Sequence, residues 1–250
     1  SAPRKGFIYY SHKVRAWASN IIRKNISGEK EQGIAMALVL GVTEGIDTDL
    51  QSAYAASGAM HVLAVSGLHV GIIYAIILLL LKPLKSFAWS RWVIAGISIL
   101  FLWSFAFVTG LSPSVLRAVT MFSFIAIARP LGWRTNIYNT LAASAFVLLC
   151  YNPYLIMSVG FQLSYLAVLG IVFLQRPIYN LWTIDNSVGD WIWQITCVSI
   201  AAQLATFALS MLYFHQFPVY FLVSNLFVIP LSTIILVGGV ALLAVGGWSL

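Results

Sequence analysis

Hydrophobic residues along this chain gather in long runs that polar positions interrupt only briefly. Seven such runs lie near 61–81, 92–109, 115–128, 136–150, 154–174, 191–212 and 219–249. A helix rising about 1.5 Å per residue needs about 20 residues to cross the hydrocarbon of a bilayer, so the runs predict membrane helices, several of them short. The last run is too long for one straight helix. Pro230, Gly238-Gly239 and Gly246-Gly247 predict a broken or kinked element there, and Gly67 and Gly71 predict another interruption.

The segment before residue 61 reads differently. On a helical wheel Phe7, Tyr10, Val14, Trp17, Ala18, Ile21 and Ile22 share one arc, while His12, Lys13, Arg15, Ser19, Asn20, Arg23 and Lys24 fill the other. That pattern predicts a basic amphipathic helix over 7–25 lying flat in the headgroup region. A surface helix docked on a soluble domain outside this chain is the alternative. Residues 33–45 are apolar but too short to span, and Asp47-Thr48-Asp49-Leu50 starts a helix running through Tyr54 toward Ser57-Gly58. The expected fold is therefore all-α: an interfacial helix over 1–30 and a polytopic transmembrane domain over 31–250 with about seven membrane segments. No internal repeat or low-complexity stretch interrupts it. The abrupt start and the apolar end at Trp248-Ser249-Leu250 point to a piece of a longer protein.

Composition excludes a soluble domain. Hydrophobic residues make up 60% of the chain, charged residues 8%, and the mean hydropathy is +0.91, against roughly 25% charged residues in soluble domains. Cys150 and Cys197 each sit inside an apolar run without a CxxC partner and read as buried free thiols. The formal charge is +7, and seven of the 14 Lys and Arg precede residue 31. Between the runs the charge alternates. Lys82, Lys85 and Arg91, then Arg129 and Arg134, then Arg176 against Asp185 and Asp190 mark three connections, while 110–114 and 151–153 carry no charge and 213–218 only His215. Positive-inside logic puts the three charged connections in the cytoplasm, and parity then puts the N-terminal helix outside.

Polar groups inside apolar runs need a reason, because lipid offers them no hydrogen-bond partner. His61, Ser66 and His69 stand with Gly67 and Gly71 at the mouth of the first run. The glycines, four apart, leave a groove where another backbone can approach. A Ser–His nucleophile pair lacks a GxSxG setting and an intramembrane carboxylate, and no metal-ligand cluster is apparent, so these residues read as packing and path lining, with no cofactor. Arg117 lies one helical turn beyond Ser112-Pro113. It reads as a snorkelling cation, a path-lining cation for an anionic polymer, or one half of a lock with Asp49. Gln162, Ser164, Gln203 and Asn225 suit interhelical hydrogen bonds or a hydrated interior, and His215 marks a connection.

Several of these segments, in order, resemble the ComEC family of competence proteins. They are Asp49-Leu50 and Ser57-Gly58-Ala59-Met60-His61-Val62-Leu63-Ala64-Val65-Ser66-Gly67-Leu68-His69-Val70-Gly71, then Gly110-Leu111-Ser112-Pro113-Ser114-Val115-Leu116-Arg117-Ala118, then Asn152-Pro153 and Gly160-Phe161-Gln162-Leu163-Ser164-Tyr165. Ala202-Gln203, Phe214-His215-Gln216-Phe217-Pro218, and Asn225 with Ile229-Pro230 complete the match. The resemblance covers residues 45–235. It implies a multi-pass protein of the inner membrane that passes incoming single-stranded DNA during natural transformation, with other competence proteins as partners. The family also carries an OB-fold-like domain and often a metallo-β-lactamase-like, nuclease-type domain. No HxHxDH motif occurs here, so nuclease activity does not carry over and no enzyme is implied. A permease for a small anionic or lipid-linked solute remains the alternative, weakened by the lack of symmetry between halves.

Overall fold

The computed structural model describes residues 7–43, 46, 47, 49, 52, 54, 57, 65–86, 89–215 and 218–246. Among them are nine α-helices and no strand: α1 Phe7–Asn25, α2 Glu29–Leu40, α3 Gly67–Leu80, α4 Ser90–Val108, α5 Pro113–Leu131, α6 Ile137–Tyr151, α7 Val159–Tyr179, α8 Ser187–Phe214 and α9 Phe221–Gly246. Five of them (α4, α5, α7, α8 and α9) are long and apolar enough to cross a membrane, and α3 and α6 are shorter apolar helices. The protein is an all-helical, multi-pass membrane bundle. Asp49, Ser52 and Tyr54 are helical, and the rest of the expected 47–57 helix lies outside the described residues.

Contacts along the helices fix their directions. Gly67 faces Arg117, Gly71 faces Phe122, and Tyr74 stacks on Phe122 with ring centroids 5.1 Å apart, so α3 and α5 run parallel. Pro113 faces Gly160 and Arg117 reaches Ser164, so α5 and α7 are parallel too. Tyr213 bonds Gln162 near one end of the α7–α8 pair and Tyr179 bonds Asp190 at the other, which makes that pair antiparallel. All three basic connections therefore lie at one end of the bundle, and the connections 110–114 and 151–153 at the other. α5 packs against α3, α4, α6 and α7 and is the most buried of the long helices.

The N-terminal helices close the end opposite the basic connections. Arg15 on α1 donates from Nε and Nη2 to the carbonyl of Val108 at 3.0 and 2.7 Å, which caps the C-terminus of α4. Ala18 and Ile22 pack with Met36, Val39 and Leu40 of α2. Of the described members of the apolar arc, Ala18, Ile21 and Ile22 are buried by the protein, while Val14 and Trp17 stay outward, 44% and 40% exposed.

The two expected interruptions have different outcomes. α9 runs unbroken from Phe221 to Gly246 with Pro230 inside it. Pro230 lacks the N–H that would bond the carbonyl of Leu226 four residues earlier, a loss that membrane helices tolerate, and just beyond it the hydroxyls of Ser232 and Thr233 both bond the carbonyl of Ile229. At Gly67 the expected interruption is present: residues 65 and 66 are non-helical and α3 begins at Gly67, then continues through Gly71. α9 also departs from simple alternation. It starts beside the middle of α8, where Asn225 donates to Ser199 at 3.2 Å, and ends beside α1 and α2, where Gly239 meets Val39 and Gly246 meets Ile21.

Close helix approach is sharpest between α7 and α8. A Cβ added at Gly170 would collide with the Cβ of Ala205 and come within 3.0 Å of the Ala201 carbonyl, whereas a Cβ at Gly96 on α4 would meet nothing within 4 Å. Gly170→Ala is therefore expected to lower stability by about 1–3 kcal/mol through overpacking, and Gly96→Ala to be neutral or up to ~1 kcal/mol stabilising. Unfolding of the purified protein in detergent checks both. A Gly170→Ala protein as stable as the parent would contradict this α7–α8 packing.

Candidate anion path

The short helix α3 opens the site. At 14 residues it spans only about 21 Å, less than a bilayer core, so non-helical backbone lies beside its start. Such backbone survives at depth only where protein or water satisfies it. Here Val65 is buried, and its carbonyl accepts the Ser114 hydroxyl of α5 at 3.1 Å. Ser66 then caps α3. Its backbone N–H donates to Nδ1 of His69 at 3.0 Å, and its hydroxyl lies 3.3 Å from the same nitrogen. This capping box carries histidine where glutamate or glutamine is usual. Because Nδ1 accepts, the neutral ring holds its proton on Nε2. The one lone pair that could activate Ser66 is thus taken by the cap, and His69 itself is 1% exposed.

Gly67 and Gly71 both face α5. A Cβ at Gly67 would stand 2.5 Å from Nη2 of Arg117, and one at Gly71 would make ordinary contact with Phe122 at 3.4 Å. Position 67 therefore has to be glycine for the guanidinium to lie where it does, and position 71 does not.

Arg117 is 7% exposed, one turn inside α5 after the Ser112 and Pro113 start. Its Nε donates to the Ser164 hydroxyl at 2.7 Å, Nη1 reaches the Met121 sulfur at 3.8 Å, and the guanidinium lies 5.9 Å from the Tyr165 ring centroid. Tyr165 is held in turn by its hydroxyl against Ser144 at 2.9 Å. Every partner is neutral. The expected lock with Asp49 is not formed: Asp49 is exposed, and its backbone N–H bonds the Asp47 side chain instead. An exposed carboxylate ahead of α3 stays in water more cheaply than it would follow the arginine into the bundle. Nη2 has no hydrogen-bond partner among the described residues.

Arg117 borders a cleft of about 410 Å³ between α3, α5, α6 and α7. The cleft follows α5 from Arg117 past Met121 and Phe122 to Ile125, about 12 Å of helix, and reaches Thr135 and Thr140 toward the basic end. Leu68, Ala118 and Val168 supply further apolar wall. It is an apolar slot with one cation at one end and hydroxyls at the other. The N-termini of three parallel helices, α3, α5 and α7, lie at the Arg117 end of the bundle, where their dipoles add positive potential.

The other residues singled out in the sequence lie elsewhere. Gln162 donates to the Ile156 carbonyl at 2.8 Å and accepts from Tyr213 at 3.3 Å, tying α7 to the turn before it and to the end of α8. Asn225 is buried against Ser199. Gln203 is half-buried with no hydrogen bond to the described residues. His215 is exposed and ends α8 in a left-handed conformation, φ 53°. His61 lies outside the described residues. Of this set the cleft takes only Gly67 and Arg117. Tyr165, Ser144 and Thr140 were not anticipated as site residues. Their signal was present as hydroxyls inside apolar runs, but many such hydroxyls merely bond their own helix.

The sequence profile described as Competence protein matches residues 38–249. The chain belongs to this competence family. It is 32% identical to ComE operon protein 3 of Bacillus subtilis over 93% of its length and 29% of that protein's, and 24% identical to Recombination protein 2 of Haemophilus influenzae over 90% of its length and 30% of that protein's. An uncharacterized protein of Aquifex aeolicus is 27% identical over 65% of this chain and 38% of its own. The chain thus spans about a third of the length of these relatives. No solved structure matches. For this competence-family bundle, then, the site must be understood from its own geometry.

A buried cation with neutral partners carries a desolvation cost that those partners only partly offset. Arg117→Met is accordingly expected to leave thermal stability equal or higher, while Ser164→Ala, which strips the guanidinium of its one oxygen partner, should lower it by about 1.5–3 kcal/mol. Melting temperatures of the purified variants decide this. Collapse of Arg117→Met would mean that the arginine serves the fold.

Proposed function

We propose that this chain forms the inner-membrane path by which incoming single-stranded DNA reaches the cytoplasm during natural transformation. The observation that carries this reading is Arg117: a guanidinium buried without a carboxylate, with Nη2 beside Gly67 at the mouth of a cleft that runs along α5. A guanidinium can hold a phosphate through two parallel hydrogen bonds. Three helix N-termini at the same mouth favour anions. The apolar walls beyond, with Leu68, Met121 and Phe122, give bases a sequence-tolerant surface, as passage of arbitrary sequences demands.

The membrane orientation follows from the basic connections. Arg91, Arg129, Arg134 and Arg176 face the cytoplasm, and the mouth with Arg117 and α1 faces outward, where DNA arrives. Catalysis and motive force come from other parts of the machinery. The OB-fold-like and metallo-β-lactamase-like domains expected from the family resemblance, together with further competence proteins, are the partners in this reading, and the bilayer is the solvent. Within the chain, Ser66, Gly67, His69 and Ser164 position α3 and Arg117 and perform no chemistry.

In a transformable host, Arg117→Gln is expected to reduce transport of labelled DNA into the cytoplasm at least tenfold with membrane protein levels unchanged. Arg117→Lys should retain part of it, because an ammonium keeps the charge but not the paired hydrogen bonds. Gly67→Leu should fail as well, since its side chain must take the guanidinium's place. Undiminished DNA transport by Arg117→Gln would refute the path.

A further inference from the structure

We infer that the outward strip of α1 formed by Lys13, Trp17, Asn20 and Lys24 is a binding surface for single-stranded DNA, separate from the cleft. The inference rests on the reading above that single-stranded DNA is the substrate, and it adds a site that the cleft does not contain.

Spacings of four, three and four residues put these side chains on one line along the helix, about 16 Å from end to end. All are exposed, Trp17 by 40%, and none hydrogen-bonds to the described residues. α1 carries no acidic residue. The strip therefore offers one aromatic face with a cation on either side. That is the combination that stacks an unpaired base and neutralises the flanking phosphates without reading sequence.

The same helix argues against a bilayer as the occupant. An interfacial helix buries a broad apolar face in the headgroup boundary. Here Ala18, Ile21 and Ile22 are already buried within the protein, against α2 and α9. What points away is mostly polar. The location also fits, because Arg15 clamps α1 to Val108, five residues before the start of α5 and so at the end that holds the cleft mouth. A strand held on α1 would be concentrated beside Arg117.

The test uses the full chain in nanodiscs of zwitterionic lipid, with a fluorescent oligo-dT and inorganic polyphosphate as probes. Trp17→Ala should weaken oligo-dT about tenfold, leave polyphosphate unchanged, and be largely rescued by Trp17→Phe. The double variant Lys13→Gln, Lys24→Gln should weaken both probes and make the log–log salt dependence for oligo-dT shallower by about 1.4, at ~0.7 per phosphate lost. Duplex DNA of the same sequence should gain nothing from Trp17. Unchanged oligo-dT affinity in these variants overturns the proposal, as does equal weakening of both probes by Trp17→Ala. It also fails if the variants alter nothing until anionic lipid is added to the disc and then change only thermal stability, which identifies lipid headgroups as the occupant. Arg117→Gln separates the two readings. It should reduce transport at least tenfold, and the Trp17→Ala weakening of oligo-dT should persist at full size in the Arg117→Gln background, so loss of the strip and loss of the path are observed independently.

Discussion

One cation in a low-dielectric bundle organises this protein. Placing a guanidinium inside a membrane domain costs at least about 2.5 kcal/mol on insertion scales, and the cost is usually met with a carboxylate. Arg117 has a serine hydroxyl, a thioether and an aromatic face instead. A hydrogen bond from a charged donor and a cation–π contact are worth roughly 1–3 kcal/mol and 0.5–2 kcal/mol, so the charge is tolerated and not neutralised. Its geometry also sets its neighbours. α3 can approach only with glycine at 67, α7 must present Ser164 and Tyr165, and Tyr165 must be braced by Ser144 of α6. Four helices meet around one side chain.

That meeting explains why α3 is short. A full-length span would carry helical backbone and side chains past Ser66 into the mouth. Ending the helix at a His69 capping box leaves Val65 in extended backbone at depth, and Ser114 satisfies its carbonyl. Since Ser114 is two positions from the Ser112 cap of α5, the two helix starts are stitched together, and α7 joins them where Gly160 rests on Pro113. Parallel helices packed side by side repel through their aligned dipoles. Three N-termini at one end of the bundle make that end favourable to anions.

The elements were legible in the sequence because bilayer thickness and helix rise leave little choice: apolar runs near 92–109 and 136–150 became α4 and α6 with ends shifted by a few residues at most. The amphipathic helix over 7–25 was equally plain. What the sequence did not carry was which partner each polar residue finds. Pro230 reads as a break, yet α9 continues through it, as membrane helices can with a proline inside. Asp49 is the nearest acid before the first run and so the natural partner for Arg117, but burial of an ion pair is costly and Ser164, 47 residues away in sequence, takes the bond. Gln162, Gln203, His215 and Asn225 look alike as polar residues in apolar surroundings. Only tertiary contacts sort them into stitches, caps and exposed ends.

A transport site must bind well enough to admit its cargo and weakly enough to release it. An arginine locked to a carboxylate would be too well satisfied to exchange for a phosphate. A ring of arginines would hold a polyanion fast. One guanidinium, oriented by Nε and braced by aromatic and sulfur contacts but with Nη2 uncommitted, meets both requirements. Behind it the cleft offers only Thr135 and Thr140 as polar groups before the basic connections begin. On the path proposed above, an anionic chain would meet one attractive station, an indifferent apolar stretch, and then the basic connections. The arrangement gives direction through where charge is absent as much as through where it is present.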